Sequence, residues 1–440
     1  MVLEFKPSTK YYETFIPGKR EPTIVLNNLL QAGVFSKYAM YVANDETRIA
    51  GGELARVSVS QQEVSLQGLE ISRSEPVSDP LKQVEAYLNS LALENWTAYG
   101  YVAFDIARFY SSYSKAITQP LCNFLIPETE LQFTKEGVKI KTTQSLKTIR
   151  KQLFVDADLP NFESVSLALD KGDQEAYQNS VSEMIDAIQG GHLHKAIIAR
   201  ARELTGSLDV LGTYVAGAKA NNAARSYCLD FESIQAVGFS PETLIEVSQD
   251  GFVTTNPLAG TRPRGNTIEE DLKLSTELFT DAKEVKEHAL SVWLAQDEIT
   301  AICLPGTVQI FNFMEVKRYR CVQHLSSRVG GQLQSDKTFW DALKVLFPGI
   351  TVSGINKDKA LEWIDRLETQ PRGIYAGGIG WVDSCGKADL AIAIRSAYQY
   401  GDRISLNAGA GIVAESVPQN EYTESVNKMN TMLTNLVLKP

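Results

Sequence analysis

Four glutamates and a lysine stand at spacings that suit one piece of chemistry. Glu284-Val-Lys-Glu287 and Glu421-Tyr-Thr-Glu424 each place two carboxylates three residues apart, which on a helix puts both on one face. Lys428 follows Glu421 by seven residues and joins that face two turns on. No histidine or cysteine cluster accompanies them, so the quartet suits a hard cation bound through oxygen. Mg²⁺ fits, held by a few carboxylates while water and substrate complete its octahedron. The competing reading is two solvated helix faces, because the E-x-x-E pattern also recurs by chance.

Three further segments carry polar or glycine-rich chemistry. Asn407-Ala-Gly409-Ala-Gly411-Ile-Val-Ala414 matches G-x-G-x-x-A formally, but a dinucleotide fold needs a helix at once and a second strand about thirty residues on. Pro418 follows instead, and only 26 residues remain after Ala414. What survives is a glycine loop whose amides could cradle a carboxylate, or a plain tight turn. Lys195 sits in the strand-like run Lys-Ala-Ile-Ile-Ala; it either snorkels to water or is partly buried and fit for general-base work. His192 and His194 read as surface or packing residues. Gly260-Thr-Arg-Pro-Arg-Gly265 is a basic turn without the G-K-[ST] of a phosphate loop.

Positioning these groups falls to a mixture of strands and helices. Residues 1–170 show strand-like runs such as Met40-Tyr-Val-Ala and Tyr99-Gly-Tyr-Val-Ala-Phe, with one helical stretch near Leu81–Leu93. Gln174–Gln189 reads as a helix from its apolar spacing, stopped by Gly190-Gly191. Strands are expected from His194 to Ala201 and near Ala236–Phe239, Leu244–Val247 and Phe252–Thr255. Asp271–Ile302, free of Gly and Pro, predicts one or two helices. Val308–Phe313, Val316–Leu325, Gly377–Val382, Ala388–Ala397 and Arg403–Asn407 read as strands, and a last helix as about Asn420–Leu438. Strand-rich stretches interspersed with helices predict a large α/β or α+β fold.

The bulk numbers exclude several classes. The chain has 440 residues, 44% hydrophobic and 22% charged, the balance of an ordinary globular protein rather than a disordered or collagen-like one. Basic and acidic residues number 43 and 53, a net charge of −10, with no basic stripe for nucleic acid. An anionic substrate on such a protein has to be captured by local positive groups. No apolar run approaches the ~18 residues of a membrane span. The first twenty residues carry Glu4, Lys6, Lys10 and Glu13 without an apolar core, so no signal peptide is read and a cytoplasmic protein is expected. The five cysteines lie far apart with no C-x-x-C, which predicts reduced, mostly buried thiols. Four histidines nearly exclude a multi-histidine metal site.

Taken together in order, the segments from about Gln174 to Val437 resemble the chorismate-utilising enzyme family. The residues that carry the resemblance are Gly191-His-Leu-His-Lys195, Phe239-Ser-Pro-Glu242, Pro257-Leu-Ala-Gly-Thr-Arg262 and Lys283-Glu-Val-Lys-Glu-His288. Further on stand Gln323-His324-Leu, Pro348-Gly-Ile-Thr351-Val-Ser-Gly354, Tyr375-Ala-Gly-Gly, Ala393-Ile-Arg395, Gly409-Ala-Gly411 and Glu421-x-x-Glu424-x-x-x-Lys428. Ten motifs in order are highly specific. The resemblance implies an α+β fold of large antiparallel β-sheets with helices packed outside. It implies a single domain over 1–440, with a variable N-terminal part, 1–170, and a chorismate-binding catalytic region, 174–437. It also implies one Mg²⁺ on Glu284, Glu287, Glu421 and Glu424. Lys195, Glu242, His324 and Thr351 take catalytic places. Tyr375, Arg395, Gly409, Ala410, Gly411, Lys428, Gly260 and Thr261 take places around the substrate, with Arg395 and Tyr375 clamping its pyruvyl carboxylate.

Within the family, members that add ammonia resemble one another in carrying glutamine where this chain has Lys195, whereas a lysine fits water as the nucleophile. The aminodeoxychorismate branch carries lysine where Ala259 stands. Isochorismate synthases tend to have alanine in place of Thr351, in a segment that begins His-Pro rather than Phe347-Pro348. The Thr351-Val-Ser-Gly-Ile segment is similar to salicylate synthases, which implies water addition at C2, loss of the C4 hydroxyl and then elimination of pyruvate, in siderophore or related biosynthesis. Two features depart from that pattern: Asn356 stands where the segment usually has proline, and Gly378-Ile-Gly-Trp-Val-Asp is similar to isochorismate synthases, the alternative. A non-catalytic anion-binding subunit ranks below both, since no matched position is missing. A monomer without a glutaminase subunit is expected.

Overall fold

The computed structural model describes residues 10–112, 117, 119–165, 172–320 and 322–439. Among them, the strands form two large antiparallel sheets. The first runs Tyr12–Pro17, Gly137–Thr142, Thr129–Phe133, Glu46–Gly51, Tyr38–Ala43, Arg225–Asp230, Ile234–Ser240, Ser396–Tyr400, Arg403–Ile412, Lys195–Thr205 and Gly354–Ile355. The second runs Leu258–Pro263, Val322–Gln332, Phe252–Thr255, Thr243–Val247, Ala388–Ile392, Gly378–Asp383, Thr97–Val102, Cys122–Ile126, Ala55–Val59, Glu63–Gly68 and Ile71–Pro76, with Gln309–Arg318 paired to Val322–Gln332. Each sheet draws strands from both before residue 170 and after residue 174.

Strand alternation explains why these segments read as near-continuous apolar runs. In Tyr38–Ala43, Tyr38 and Met40 pack into one hydrophobic cluster, while Ala39 and Tyr41 pack into the other. Successive side chains point to opposite faces, and here both faces are covered. One face of the first sheet is covered by the helices Pro22–Gln31, Leu146–Leu153, Val210–Ala220 and Pro418–Leu433. The other face belongs to a cluster shared with the second sheet.

Two buried ionic knots tie the sheets together. Arg225 of the first sheet grips Asp389 of the second in a two-pronged contact, Nε–Oδ1 and Nη2–Oδ2 both 3.0 Å, while the Tyr41 hydroxyl donates to Asp389 Oδ1 at 2.8 Å. Glu130 of the first sheet accepts from Arg48, Lys141, Tyr99 and Thr97, the last two on the second sheet. Burial pushes the Glu130 carboxyl up, but Lys141 and Arg48 outweigh it and bring it down to about 2.

Several elements depart from the sequence-based expectation, each for a local reason. Asp271–Ile302 is two helices, Ile268–Thr280 and Ala282–Thr300. Asp281 breaks them in extended backbone, and its carboxylate caps the second helix by accepting from the Lys283 and Glu284 amides. Ala388–Ala397 is not one strand: Ala388–Ile392 lies in the second sheet and Ser396–Tyr400 in the first. The chain crosses between sheets at Ala393–Arg395, with Arg395 at φ 51°. Val316–Leu325 straddles a hairpin turn, so the strands are Gln309–Arg318 and Val322–Gln332. Arg403–Ile412 continues through the glycines that read as a loop, and the last helix is Pro418–Leu433.

Helices Pro22–Gln31 and Leu146–Leu153, outside the stretch read from sequence, form because Val25, Leu26, Leu29, Ile149 and Leu153 bury one face, which overrides the weak propensity of runs such as Thr-Ile-Val and Asn-Asn. Cys122, Cys228 and Cys303 are free and buried, Cys385 is exposed, and Cys321 lies outside the described residues. No helix among the described residues is long and apolar enough to cross a membrane.

The knot at Asp389 yields a stability prediction. Arg225→Met leaves a buried carboxylate without its cation and is expected to cost about 3–5 kcal/mol. Adding Asp389→Leu is expected to recover most of the loss. Urea unfolding of wild type, single and double variants measures both steps, and an additive double variant would contradict the pairing.

Candidate active site

A cavity of about 230 Å³ opens where both sheets and two helices meet. From the first sheet come Lys195, Ile197, Asn407, Ala408, Gly409 and Gly411, and from the second come Leu258 to Arg262 and His324. Helix Ala282–Thr300 supplies Lys283, Glu284 and Glu287; helix Pro418–Leu433 supplies Glu421, Glu424 and Lys428. Each E-x-x-E pair therefore faces inward from its own helix, as the three-residue spacing requires. Glu242, Thr351, Tyr375 and Arg395 complete the wall.

Every carboxylate of the two pairs meets its own cation. Glu287 Oε1 lies 2.6 Å from Lys195 Nζ, Glu284 Oε1 3.2 Å from Arg262 Nη1, Glu424 Oε1 2.5 Å from Lys428 Nζ and Glu421 Oε1 3.9 Å from Lys283 Nζ. Burial and the neighbouring Glu287 hold the Glu284 carboxyl above the ordinary range, and burial and Glu424 do the same for Glu421. Glu424 is buried as well, yet Lys428, Lys283 and Arg395 bring it below that range. Arg395 lines the same wall with no carboxylate in ion-pair reach among the described residues. Burial lowers its guanidinium from the ordinary value.

Proton-handling groups line the facing wall. Glu242 is buried, and its Oε1 accepts from the Leu258 amide at 3.1 Å and the Thr351 hydroxyl at 2.7 Å. Burial raises it to about 7, against the smaller opposing effect of those two hydrogen bonds. His324 is pushed down to about 4, chiefly by burial and further by Arg395 and Lys428, so it is neutral at neutral pH. Its Nδ1 lies 2.9 Å from the Gly260 carbonyl oxygen and 3.1 Å from Thr261 Oγ1. A carbonyl only accepts, so Nδ1 carries the proton and Nε2 the lone pair. That Nε2 is buried with no hydrogen-bond partner among the described residues.

The glycine segment contributes as a strand edge rather than a loop. Gly409 and Gly411 stand opposite Ala199 and Ile197. The Ile197 amide is spent on the Ser353 carbonyl and the Ala199 amide on Glu368, so these are the non-hydrogen-bonded pairs of the ladder. The free peptide groups of Gly409 therefore serve the cavity. Its amide meets the Tyr375 hydroxyl, and its carbonyl accepts from Lys428 Nζ at 2.9 Å. A Cβ on Gly411 would stand 3.2 Å from Glu287 Oε1 and 3.3 Å from Lys195 Cε, so glycine there keeps the wall open. Ala410 is the correction. It pairs with Ile198, faces the hydrophobic core and does not line the cavity.

Residues 37–434 match the family model described as chorismate binding enzyme. The chain belongs to that family. It is 31% identical to the salicylate synthase of Mycolicibacterium paratuberculosis, over 92% of this chain and 90% of that one. It is 42% identical to anthranilate synthase component 1 2 of Haloarcula marismortui, over 60% of this chain; the match spans half of that relative's length. The fold is that of anthranilate synthase component I from Streptococcus pneumoniae TIGR4, with TM-score 0.73 and 30% identity, covering 89% of this chain and 93% of that one.

As a member of the chorismate-binding family the chain gathers all the site residues expected from sequence except Ala410 around one cavity. Lys195 does not snorkel; it is buried and turned inward. His192 and His194 are exposed, as expected. Arg262 and Lys283 were quoted within motifs without a role, and both line the cavity as partners of the glutamates. Their signal was their place beside the E-x-x-E pair and the Gly260-Thr261 turn. Asn407, missed as a lining residue, follows only from the strand running on past it.

Enzymes of this family are generally Mg²⁺-dependent. The donor set fits in kind: four carboxylates line one cavity, and Glu287 pushes the Glu284 carboxyl up as Glu424 does that of Glu421, so added positive charge there meets oxygens that share a negative field. Among the described residues no three such side chains are gathered closely enough to hold an ion, because each glutamate is drawn to its own cation.

Glu242 gives a pH prediction with a definite sign. The unfolded chain releases this proton near 4.5 and the folded chain near 7. Below pH 4.5 both states are protonated, and the group is neutral to folding. As pH rises to about 7 the unfolded state ionises first, and stability falls by roughly 3 kcal/mol. Glu242→Gln keeps an oxygen for both donors and removes the slope. It is expected to unfold at higher urea than wild type at pH 8 and at nearly the same urea at pH 5.

Proposed function

We propose that this chain converts chorismate to isochorismate by adding water at C2 and then expels pyruvate to leave salicylate. The observation that carries the reading is Lys195, a buried primary amine inside the cavity at the position where ammonia-adding relatives resemble one another in having glutamine. Lys195 takes a proton from the attacking water as the O–C2 bond forms. Glu242, which keeps its proton to about pH 7, gives that proton to the C4 hydroxyl as it leaves as water. Acid and base are different groups on different elements, as an exchange across one ring requires.

Substrate capture falls to the cations. Arg395, with no carboxylate of its own, and Tyr375 hold the pyruvyl carboxylate; Lys428 and the Gly409–Gly411 edge flank the ring carboxylate. Gly260 and Thr261 fix His324, which shapes the wall between the two carboxylates and offers a lone pair at Nε2. Glu284, Glu287, Glu421 and Glu424 would hold Mg²⁺, which when bound supplies positive charge for the ring carboxylate. In the second step the C2 hydrogen passes to the methylene carbon of the enolpyruvyl group as its ether C–O bond breaks. This releases pyruvate and aromatises the ring. No strong base is needed, only a side chain held folded over the ring, which is a positioning task. Thr351 supports this reading. Asn356 departs from its pattern, and the Gly378–Asp383 segment favours the second reading, release of isochorismate. Water as nucleophile needs no glutaminase subunit, and a monomer suffices.

Chorismate with Mg²⁺, with and without ammonium, followed by chromatography, tests the reaction. Equal salicylate and pyruvate, indifferent to ammonium, are expected. Isochorismate alone would establish the second reading, and anthranilate formed with ammonium would overturn both. EDTA is expected to stop turnover and excess Mg²⁺ to restore it.

Lys195→Ala and Glu242→Gln are each expected to lose about 10²–10⁴-fold in turnover of chorismate. Supplied isochorismate is expected to yield salicylate in Lys195→Ala, which lacks only the water-activating base, but not in Arg395→Ala, which lacks the clamp. A Lys195→Ala enzyme equally inert to both substrates, with binding intact, would falsify this division of labour.

A further inference from the structure

Of the four carboxylate–cation pairs in the cavity, one is set deeper than the rest. The Lys195 side chain is 4% exposed and that of Glu287 15%, whereas Lys283, the partner of Glu421, is 40% exposed. Little water screens the Lys195–Glu287 contact at 2.6 Å. The strand at Gly411 closes on it from the side, since a Cβ there would touch both partners. Lys195 itself is anchored in the ladder, paired with Ile355 at the end of its strand, so the amine reaches Glu287 from a fixed base.

The same carboxylate belongs to the donor set for a divalent cation. A carboxylate carries one charge, and an ammonium at 2.6 Å already answers much of it. A second cation at the same group meets a weaker ligand and the repulsion of the ammonium, in a site that water screens poorly. Whatever the ammonium costs the metal, the metal costs the ammonium contact in equal measure, because linkage is reciprocal.

We propose that Lys195 is the internal competitor of the divalent cation for Glu287. The proposal rests on the reading of the four glutamates as metal ligands and of Lys195 as the base. Its consequence is a safeguard. Paired with Glu287 the group is an ammonium and cannot act as a base. Only in a loaded cavity, freed from that carboxylate and beside added positive charge, does it give its proton to solvent and become the amine that takes one from the attacking water. It also accounts for Glu287 being turned to Lys195 rather than gathered with the other glutamates.

Mn²⁺ binding without substrate tests the competition independently of turnover, with free Mn²⁺ followed by electron paramagnetic resonance. Lys195→Met is expected to bind Mn²⁺ about tenfold or more tightly than wild type, within the span usual for coupled sites. Lys195→Gln provides the same comparison should the methionine variant fail to fold. Arg395→Gln removes a positive charge from the same wall without freeing a carboxylate, and is expected to change affinity less than about threefold. Unchanged or weaker binding in both Lys195 variants overturns the proposal, and so does an equal gain in Arg395→Gln, which would mean a general field and not a shared ligand. Glu287→Gln separates the two levels: if it binds Mn²⁺ as wild type does, the metal assignment itself falls, whatever the lysine variants show.

Discussion

The rest of this molecule answers to one electrostatic constraint: four carboxylates have to share a cavity. A glutamate three residues from another on a helix feels its charge, and Glu284 and Glu421 are pushed up by burial and by that neighbour. Two such helices brought face to face repel further unless positive charge is interleaved. The sequence meets this with Lys195, Arg262, Lys283 and Lys428, one for each glutamate, and adds Arg395 without a carboxylate. Buried ion pairs of this kind contribute little net stability, because desolvation offsets most of the attraction. What they would provide, on the proposed reading, is a cavity in which each glutamate keeps a partner until a dianion and a divalent cation replace it, with Arg395 left open for the dianion.

Such a cavity needs a stiff surround, and the two sheets supply it. Behind the wall, Arg372 is buried and donates to the carbonyls of Val352 and Ile197 at 2.7 Å each, while a bidentate contact with Glu368 neutralises it. Glu368 in turn accepts from the Ala199 amide. Ile197 and Val352 both line the cavity, so one guanidinium fixes the Lys195 strand relative to the Thr351 loop. The knots at Asp389 and Glu130 do the same between the sheets farther away. Positional error of an ångström is costly in proton transfer, and these contacts are what limit it.

How much of this was legible in the sequence depended on whether the signal was local. The E-x-x-E pairs were, because helical geometry alone fixes their common face. So were the helix Gln174–Gln189 and most central strands, whose periodicity is strong. Lys195 was ambiguous, since an apolar strand does not say which of its faces meets water. The switch of sheets at Arg395 was invisible. Ala388–Ala397 holds the apolar run Leu390–Ile394 with no Gly or Pro to break it, and only tertiary pairing divides it, with Arg395 in left-handed backbone. The glycine segment misled for the opposite reason: glycines suggest a turn, yet here they thin a strand where Lys195 and Glu287 crowd it. Ala410 fell with that misreading, because strand alternation turns it away from its neighbours. Arg262 and Lys283 needed the charge balance of the assembled cavity to acquire a role.

A family whose members bear the names salicylate synthase and anthranilate synthase on one fold has to divide its chemistry among a few side chains. In this chain one distinguishing position is physically joined to the proposed acid. Thr351, which separates the salicylate from the isochorismate pattern, donates its hydroxyl to Glu242 Oε1. That bond lowers the Glu242 carboxyl against the upward push of burial. An alanine at 351 would remove the donor, leave Glu242 with the Leu258 amide alone and hold its proton more tightly. On the proposed reading, the residue that distinguishes the product would also tune the acid. If the proposed two-step reaction holds, substituting it would act on the first step as well as the second, and a change in product ratio would need the pH dependence of both steps to be assigned to the lyase step.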